Sequence, residues 1–260
     1  MVESEKREAI LVLGGAFNPV HTQHIALLEA AKTELESNGN FKIIGAYLAP
    51  ASDNYVAHKL KSRIPLEKTL KLEHRLQLAK LAIQHGEFEW IAKSPFSSEL
   101  LTRHYGSAYE LGTRLQNMLT EDHKVEILII AGGDRIVNKQ GIAKWRKSPS
   151  SINAKTVCIQ RQNDIRTTTT VKTLVEIWNE DLKLGLIQSP DRYLIINTPV
   201  APVSSTLVRF YMNRWHASTN ESEKEEIEHE IVTEKRLLNF DVMKYLKDHE
   251  NDLYLPPEIK

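Results

Sequence analysis

The chain has 260 residues, 41% of them hydrophobic, and its 34 lysines and arginines are balanced by 34 aspartates and glutamates. This balance excludes the strong positive field of a typical nucleic-acid-binding protein and disfavours a membrane surface as a partner. The single cysteine, Cys158, excludes a disulfide within the chain and is typical of a reducing compartment. The charged start MVESEKREA has no apolar stretch of the kind found in secretory signals. We therefore expect an intracellular protein of the cytoplasm or nucleus, with no nucleic-acid or membrane partner.

Apolar runs and helical periodicities alternate along the chain. Strands are predicted at Ile10–Leu13, Phe41–Leu48, Phe88–Ala92, Val125–Ala131, Thr156–Gln160 and Tyr193–Ile196. Helices are predicted between them at 22–37, 66–85, 98–120 and 134–140. This alternation predicts an α/β protein with a doubly wound, mostly parallel sheet, helices on both faces and a small C-terminal helical part. Ligands of such sheets bind at the carboxyl ends of the strands.

The predicted organisation is one domain with an insertion. Residues 1–215 form the sheet domain, the charged stretch 216–236 forms the insertion, and residues 237–260 form a helix and tail that complete the same domain. We expect the insertion to be a solvated helix or a loop, because it is rich in glutamate and lysine.

The segment ILVLGGAFNPVHTQH (10–24) joins an apolar run to a glycine turn and the start of a helical pattern. Gly14 and Gly15 lack a Cβ and let a ligand approach the backbone closely. The N–H groups at a helix start, with the positive end of the helix dipole, attract an anion. His21 and His24 are one helical turn apart, so both imidazoles are able to contact one phosphate. The alternative interpretation is a plain strand-to-helix connection with two surface histidines.

A second segment, APVSSTLVRF (201–210), has the same chemical character. Ser204, Ser205 and Thr206 are residue types that favour the start of a helix. Arg209 follows one turn later, where its guanidinium is able to reach an anion held at that helix start. A simple Ser-Ser-Thr helix cap is the alternative, but it leaves the arginine unexplained.

Together these two segments resemble the nucleotidyltransferase superfamily with HxGH and ISSTxxR motifs, and more closely its eukaryotic-type nicotinamide mononucleotide adenylyltransferases. Further segments resemble that family in the expected order: LAPASDNYVAHKL (48–60), IIAGGDRIVNKQGIAKW (129–145), VCIQRQND (157–164) and LLNFDVMKYLKDHENDLY (237–254). The resemblance extends over nearly the whole chain and implies a Rossmann-like nucleotidyltransferase fold.

Four positions depart from the family's pattern. Gln23 replaces the glycine of the HxGH motif, and the stretch 56–59 is poorer in lysine. Phe96 stands where a tryptophan is expected, and Ala201 stands where an asparagine often precedes the serines. The first three departures bear on acceptor preference and rate, not on the fold.

The resemblance implies transfer of the adenylyl group of ATP to nicotinamide mononucleotide, or also to nicotinic acid mononucleotide, forming NAD and pyrophosphate in NAD biosynthesis. A mononucleotide phosphate is already an anion at neutral pH, so the nucleophile needs no protein base, and catalysis consists of positioning and electrostatic stabilisation. Mg²⁺ is expected to arrive with ATP, without a metal site of the protein's own.

The resemblance also implies roles for individual residues. His24 is expected to contact the α- and β-phosphates, His21 the neighbouring phosphate, and Arg209 to supply a cation. Residues expected to bind ATP are Gly15, Ala16, Phe17, Asp134, Ser204, Ser205 and Thr206. Residues expected to bind the mononucleotide are Asn18, Tyr55, Phe96, Trp145 and Arg161. For Trp145, stacking on the pyridine ring and ordinary core packing are both open.

Two other functions stay open from the sequence. The chain could be a related nucleotidyltransferase with another acceptor, such as a phosphocholine-type or pantetheine-phosphate substrate. It could also be a nucleotide-binding protein that has lost catalysis, because the stretch 56–59 has fewer basic residues and Ala201 stands in place of the asparagine before Pro202. The preference between the two pyridine mononucleotides, and association into homo-oligomers, are open as well.

Overall fold

The computed structural model describes residues 6–61, 68–84, 88–95, 100, 102–119, 125–138, 140–147, 154–161, 165–166, 171–201 and 203–256. These residues belong to two compact units. Unit 1 consists of Met1–Gly14, Ala26–Tyr47 and Ser107–Pro202, and unit 2 consists of Gly15–Ile25, Leu48–Gly106 and Val203–Lys260.

Seven strands are described: β1 Arg7–Gly15, β2 Phe41–Pro50, β3 Glu126–Gly132, β4 Lys155–Arg161, β5 Ile165–Arg166, β6 Val171–Lys172 and β7 Tyr193–Val200. Five of them form one sheet in the order β2-β1-β3-β4-β7, and β1–β3, β3–β4 and β4–β7 pair in parallel. The short strands β5 and β6 pair with each other in antiparallel orientation. The predicted mostly parallel sheet is therefore confirmed.

The interior strand β1 explains why the sequence predicts this sheet well. Ile10, Leu11 and Val12 of β1 are all completely buried. A strand covered on both faces has an unbroken apolar run rather than an alternating one, and this is the run that precedes the glycine turn. Cys158 on β4 is also completely buried, and burial raises the pKa of its thiol, so it behaves as a small apolar side chain.

Ten α-helices are described among these residues: α1 Thr22–Ser37, α2 Asp53–Lys61, α3 Leu72–Ile83, α4 Glu89–Ala92, α5 Ala108–Met118, α6 Gly133–Ile136, α7 Leu174–Lys183, α8 Ser205–Ala217, α9 Glu221–His229 and α10 Phe240–Asp248. Two 3₁₀ turns, Lys144–Arg146 and Pro190–Arg192, and one π-helical turn, Glu230–Glu234, accompany them. In the described part of the chain, no helix combines the length and the apolar character needed to cross a bilayer.

One predicted strand, Phe88–Ala92, is wrong. The structure forms the single helical turn α4 there, and the backbone N–H of Lys93 donates to the carbonyl of Glu89 at 2.9 Å. Ile91 is the buried side chain of this turn. A five-residue apolar run does not distinguish a strand from one turn of helix, because both periods fit so few residues. The predicted helix at 98–120 is described as α5 over a shorter range, and residues 96–99, 101 and 120 lie outside the described residues.

The charged insertion 216–236 is helical, but it is not solvated on all sides. It contains α9 and the π-helical turn, and Ile227 and Ile231 on these elements are buried. The proposed domain boundaries at 215 and 236 stay predictions.

The end of this insertion is bonded to the start of α1. The N–H of Thr22 donates to the carbonyl oxygen of Leu237 at 3.1 Å, and its hydroxyl donates to the carbonyl oxygen of Arg236 at 2.6 Å. Leu237 is in turn fixed by donating its own N–H to Ile231 at 2.8 Å. The first residue of α1, between the two histidines, is therefore held by a segment more than two hundred residues away, since the separation in sequence is 214.

Candidate active site

The two glycines that end β1 lead into a turn so closely packed that residue 15 has no room for a side chain. A Cβ at Gly15 would lie 2.8 Å from Cε1 of Phe17. Phe17 has φ 46°, a left-handed conformation that is uncommon for a bulky residue and costs about 1–3 kcal/mol. Its buried ring meets the His24 ring edge-on, with 4.8 Å between the centroids. Packing of this ring therefore supports a strained turn directly before the two histidines.

The two histidines lie side by side, as their spacing predicts. Their rings stack with 3.7 Å between centroids, and His21 is buried. The backbone N–H of His21 donates to Nδ1 of His24 at 3.2 Å. An Nδ1 that accepts a hydrogen bond carries no proton, so the neutral His24 imidazole carries its proton on Nε2. His24 is thus set up to donate from Nε2.

The second segment forms the start of α8, as predicted. The side chain of Ser204 caps the helix by accepting from the N–H of Leu207 at 3.3 Å. Ser205 and Thr206 are the first two residues of the helix, so their N–H groups belong to the set that has no partner inside the helix. This helix start is a positively polarised end that favours an anion.

Hydrogen bonds join the two segments within unit 2. Nη1 of Arg209 donates to the carbonyl oxygen of Asn18 at 2.7 Å, and Nη2 donates to the hydroxyl of Thr206 at 3.1 Å. The hydroxyl of Ser205 donates to the carbonyl oxygen of Pro19 at 3.1 Å. The predicted residues of the glycine turn, the histidine pair and the α8 start therefore form one cluster.

Gln23, which departs from the HxGH pattern, adds a further connection. Its side chain is buried, and its Oε1 accepts a hydrogen bond from the backbone N–H of Val203. A glycine at this position would have no group to offer. Glutamine in place of glycine therefore adds a hydrogen bond between α1 and the segment that precedes α8, and it removes the conformational freedom that a glycine would give the backbone.

Arg75 is a supporting residue that the sequence analysis did not single out. It is completely buried on α3, and its guanidinium donates to the carbonyl oxygens of Leu70 at 3.1 Å and Ala16 at 2.9 Å and to the Asp53 carboxylate at 2.7 Å. Burial lowers the pKa of Arg75, and the ion pair with Asp53 partly offsets this effect. Arg75 thereby fixes the glycine turn to α2 and α3. Ala16 and Asp53 are 59 and 22 positions away in sequence, so no local motif indicates Arg75.

Asn18 was predicted to bind the mononucleotide, and the structure shows what its amide contacts. Its Oδ1 accepts from the N–H of Leu70 at 2.7 Å, and its Nδ2 donates to the carbonyl oxygen of Lys68 at 3.0 Å. The side chain therefore supports the backbone of residues 68–70. Contact with a mononucleotide stays a prediction.

Of four other predicted residues, one belongs to unit 2, two belong to unit 1 and one lies outside the described part of the chain. Tyr55, on α2 of unit 2, is 52% exposed and is accessible to a ligand. Phe96 lies outside the described residues. Asp134 and Arg161 are described only in their backbone, at the start of α6 directly after β3 and at the end of β4. Both positions follow parallel strands of unit 1, where ligands of such sheets bind.

Trp145 is completely buried in the core of unit 1. Its indole N–H donates to the Asp181 carboxylate at 2.7 Å, and its ring meets Trp178 and Tyr193 edge-on at 5.1 and 6.0 Å between centroids. Arg146 also bonds to the same carboxylate, at 2.6 and 2.7 Å. These contacts are those of a core packing residue. Stacking of Trp145 on a pyridine ring stays a prediction.

The parallel sheet and the cluster of imidazole, hydroxyl and guanidinium groups at a helix start define an α/β protein whose donors suit phosphate oxygens. A family model described as cytidylyltransferase-like matches residues 12–210. The chain belongs to this cytidylyltransferase-like family. The matched region contains both the histidine pair and Arg209.

Several curated relatives share part of this sequence. The chain is 33% identical over 96 residues to nicotinamide/nicotinic acid mononucleotide adenylyltransferase 2 of Xenopus tropicalis, covering 37% of this chain and 28% of that protein. It is 25% identical over 162 residues to the nicotinamide/nicotinic acid mononucleotide adenylyltransferase of Oryza sativa subsp. japonica, covering 59% of each. The chain thus aligns with less than two thirds of the length of these relatives.

A solved structure shows the same fold over almost the full length. It is the Plasmodium falciparum nicotinic acid mononucleotide adenylyltransferase complexed with NaAD, which is 14% identical, with a TM-score of 0.53 and coverage of 94% of this chain and 97% of that one. The predicted Rossmann-like nucleotidyltransferase fold is confirmed.

Replacement of Arg75 by methionine is expected to destabilise the chain. The change removes a buried charge and leaves the Asp53 carboxylate and the Ala16 carbonyl without their partner, which costs about 3 kcal/mol in the free energy of unfolding. Urea unfolding followed by circular dichroism measures this. The matched control is Arg214→Met on α8, whose side chain is 45% exposed and pairs with Glu230 at 3.4 Å. We expect a change of about 0.5 kcal/mol or less there, and equal losses in the two variants would contradict the supporting role of Arg75.

Replacement of Trp145 by phenylalanine separates packing from stacking. The structure predicts a loss of about 1–3 kcal/mol in the free energy of unfolding, because Asp181 loses the indole N–H in a buried site. It predicts little change in the KM for a pyridine mononucleotide. A severalfold rise in that KM with unchanged unfolding would instead assign Trp145 to the substrate.

Proposed function

We propose that this protein transfers the adenylyl group of ATP to nicotinamide mononucleotide or nicotinic acid mononucleotide and releases pyrophosphate. The observation that carries the proposal is the joining of the two motifs, through Arg209 and Asn18, into one cluster of phosphate-type donors. The names of the Xenopus and rice relatives support the acceptor class. The reducing compartment expected from the single cysteine favours the cytoplasm or nucleus as the place of action.

The proposed reaction is an in-line displacement at phosphorus. A phosphate oxygen of the mononucleotide attacks the α-phosphorus of ATP and forms the new P–O bond. The bond from the α-phosphorus to the oxygen bridging to the β-phosphorus breaks, and pyrophosphate leaves with the electron pair. The main barrier is the approach of two polyanions, so catalysis consists of orientation and of neutralising charge on the transferring group.

The cluster provides groups for each part of the triphosphate. His24, protonated on Nε2, would donate to oxygens of the α- and β-phosphates, and His21 would contact the neighbouring phosphate. The hydroxyls and helix-start N–H groups of Ser204–Thr206 would bind the β- and γ-phosphates. Lys68 lines the same pocket as Arg209, so a second cation is present on that side. Arg209 is oriented in advance by Asn18 and Thr206, which reduces the entropy lost when ATP binds.

Magnesium is proposed to enter with the nucleotide. The donors of the cluster are imidazole, hydroxyl, guanidinium and backbone N–H groups, which suit phosphate oxygens, whereas Mg²⁺ is bound through oxygen ligands and substrate phosphates. The phosphates of ATP would therefore hold the ion, and it would neutralise part of their charge.

A coupled assay tests the proposal. Purified protein is incubated with ATP, Mg²⁺ and one acceptor at a time, and dinucleotide and pyrophosphate are quantified by chromatography. We expect both products with a pyridine mononucleotide. ATP binding without any dinucleotide would favour the weakly catalytic nucleotide-binding protein, and turnover only with a phosphocholine-type or pantetheine-phosphate acceptor would favour the related transferase.

His24→Ala is expected to lower kcat by about 10²–10³ with little change in Tm, while His104→Ala, which replaces an exposed histidine, leaves kcat unchanged.

Arg209→Lys is expected to weaken ATP rather than the acceptor. Lysine keeps the charge but loses the planar fork that contacts Asn18 and Thr206 together, so the KM for ATP rises about tenfold and kcat falls. Inhibition by pyrophosphate should weaken as well, because pyrophosphate contains the former β- and γ-phosphates. Arg214→Lys on the same helix is the control. A selective rise in the mononucleotide KM would refute this assignment.

A further inference from the structure

A cluster of metal-binding side chains lies outside the proposed phosphate site. Glu73 and His74 are in the first turn of α3, and Asp252 follows α10. Their ligand atoms all lie within 4.8 Å of one another. Glu73 and His74 belong to no motif singled out above, and Asp252 lies in the segment 237–254 without having been given a role there.

His74 is the informative member of this cluster. The residue is only 4% exposed, and its Nδ1 lies 3.0 Å from the hydroxyl of Tyr245. Its Nε2 has no hydrogen-bond partner within the described part of the chain. This atom points at two carboxylates, 3.4 Å from Oδ2 of Asp252 and 4.0 Å from Oε1 of Glu73. Buried polar atoms almost always have a hydrogen-bond partner. Here Nε2 faces carboxylate oxygens without forming a hydrogen bond, and one imidazole nitrogen with two carboxylates is a ligand set that binds a divalent cation.

The distances fit a tetrahedral transition-metal ion. Zinc bonds to histidine nitrogen at about 2.0–2.1 Å and to carboxylate oxygen at about 2.0–2.2 Å, which puts neighbouring ligand atoms about 3.3–3.6 Å apart. Asp252 already has this separation from His74, and the side chain of Glu73, 69% exposed, needs only a small rotation to reach it. The Tyr245 hydroxyl at Nδ1 is the outer contact that typically orients a ligating histidine and fixes Nε2 as the ligand atom.

Lys71 determines how strongly a cation would bind. Its ammonium is paired with Oδ1 of Asp252 and lies 3.9 Å from Glu73. The pairing uses one oxygen of Asp252, and Oδ2 faces His74. Two carboxylates and one ammonium leave a net charge of about −1, so the cluster attracts a divalent cation while Lys71 limits its affinity.

We propose that Glu73, His74 and Asp252 bind a divalent transition-metal ion, with zinc the best match, and that water occupies its fourth position. The ion would link the start of α3 to the C-terminal segment. These two segments already pair, since Lys71 N donates to the Leu253 carbonyl at 2.9 Å and Leu255 N donates to the Thr69 carbonyl at 2.8 Å. The site is separate from any magnesium that accompanies ATP.

Zinc binding by the whole 260-residue chain is measured after removal of bound metals with a chelator. Isothermal titration with Zn²⁺ alone should show one saturable site, and Co²⁺ in place of zinc should give the visible absorption of a tetrahedral ion. The Tm should rise by about 5 °C at a zinc concentration about a hundredfold above the Kd. Mg²⁺ should produce no such rise, because it prefers six oxygen ligands.

Three variants and a control locate the site. Asp252→Asn and His74→Asn should each weaken zinc binding at least tenfold; asparagine at 74 is able to keep the bond to Tyr245 but lacks Nε2. Lys71→Met should strengthen binding, because it removes the competing ammonium. Asp248→Asn, an exposed carboxylate paired with Lys244, should leave the affinity unchanged.

The proposal fails if wild-type protein shows no zinc-dependent change in heat, absorption or Tm. It also fails if Asp252→Asn binds zinc as tightly as wild type, since zinc would then sit on other histidines. Glu73→Gln tests whether misfolding explains a loss of binding. The Glu73 side chain is exposed and contributes little to the core, so weaker zinc binding by this variant is attributable to the lost carboxylate ligand. None of these readouts depends on dinucleotide synthesis.

Discussion

Asn18 is the residue on which the geometry of the proposed phosphate site depends. Its carbonyl oxygen accepts from Arg209, and its side chain bonds to Lys68 and Leu70, so one buried residue joins the glycine turn, the segment before α3 and the start of α8. These three segments are far apart in sequence. Because all three segments are bonded to Asn18, the positions of Arg209 and of the two histidines are fixed relative to one another. Electrostatic stabilisation of a transferring phosphate, as proposed, requires such a fixed arrangement of donors.

The charge distribution of the protein is local rather than global. The formal net charge is zero, yet the cluster contains two imidazoles, a guanidinium, a helix start and the neighbouring Lys68. The positive charges of Arg209 and Lys68 beside a helix start give a neutral molecule the local positive field that the proposed binding of a triphosphate requires. The bond from the His21 backbone holds the neutral His24 imidazole in the tautomer with its proton on Nε2, so the proposed donation to a phosphate oxygen needs no change of tautomer.

Features that depend on local pattern were predictable from the sequence. The strand before the glycine turn, the helix at 22–37 and the α8 start all follow from apolar runs and capping residues, and the structure has them with bounds of Arg7–Gly15, Thr22–Ser37 and Ser205–Ala217. The short run at 88–92 was wrong because five residues fit both periods.

Features that depend on long-range contacts were not predictable. Arg75 bonds to Ala16, 59 positions away, and no spacing rule connects them. Gln23 departs from the family's pattern, and the sequence gives no sign of its hydrogen bond to the backbone N–H of Val203, 180 positions away. For Trp145, the sequence did not separate core packing from stacking on a substrate ring. The burial of the indole and its hydrogen bond to Asp181 favour core packing, and both depend on contacts distant in sequence.

The bonds between Thr22 and the 236–237 backbone have a consequence for how this sequence is able to diverge. The anchor lies just after the π-helical turn, so the charged helix α9 stands upstream of it on the surface of unit 2. Insertions and deletions in the loop 218–220 before α9 would leave the register of the anchor intact, whereas a change of one residue between Ile231 and Leu237 would shift the carbonyl groups that hold the start of α1. Differences in length among relatives of this chain should therefore occur in the loop before α9 and not between Ile231 and Leu237.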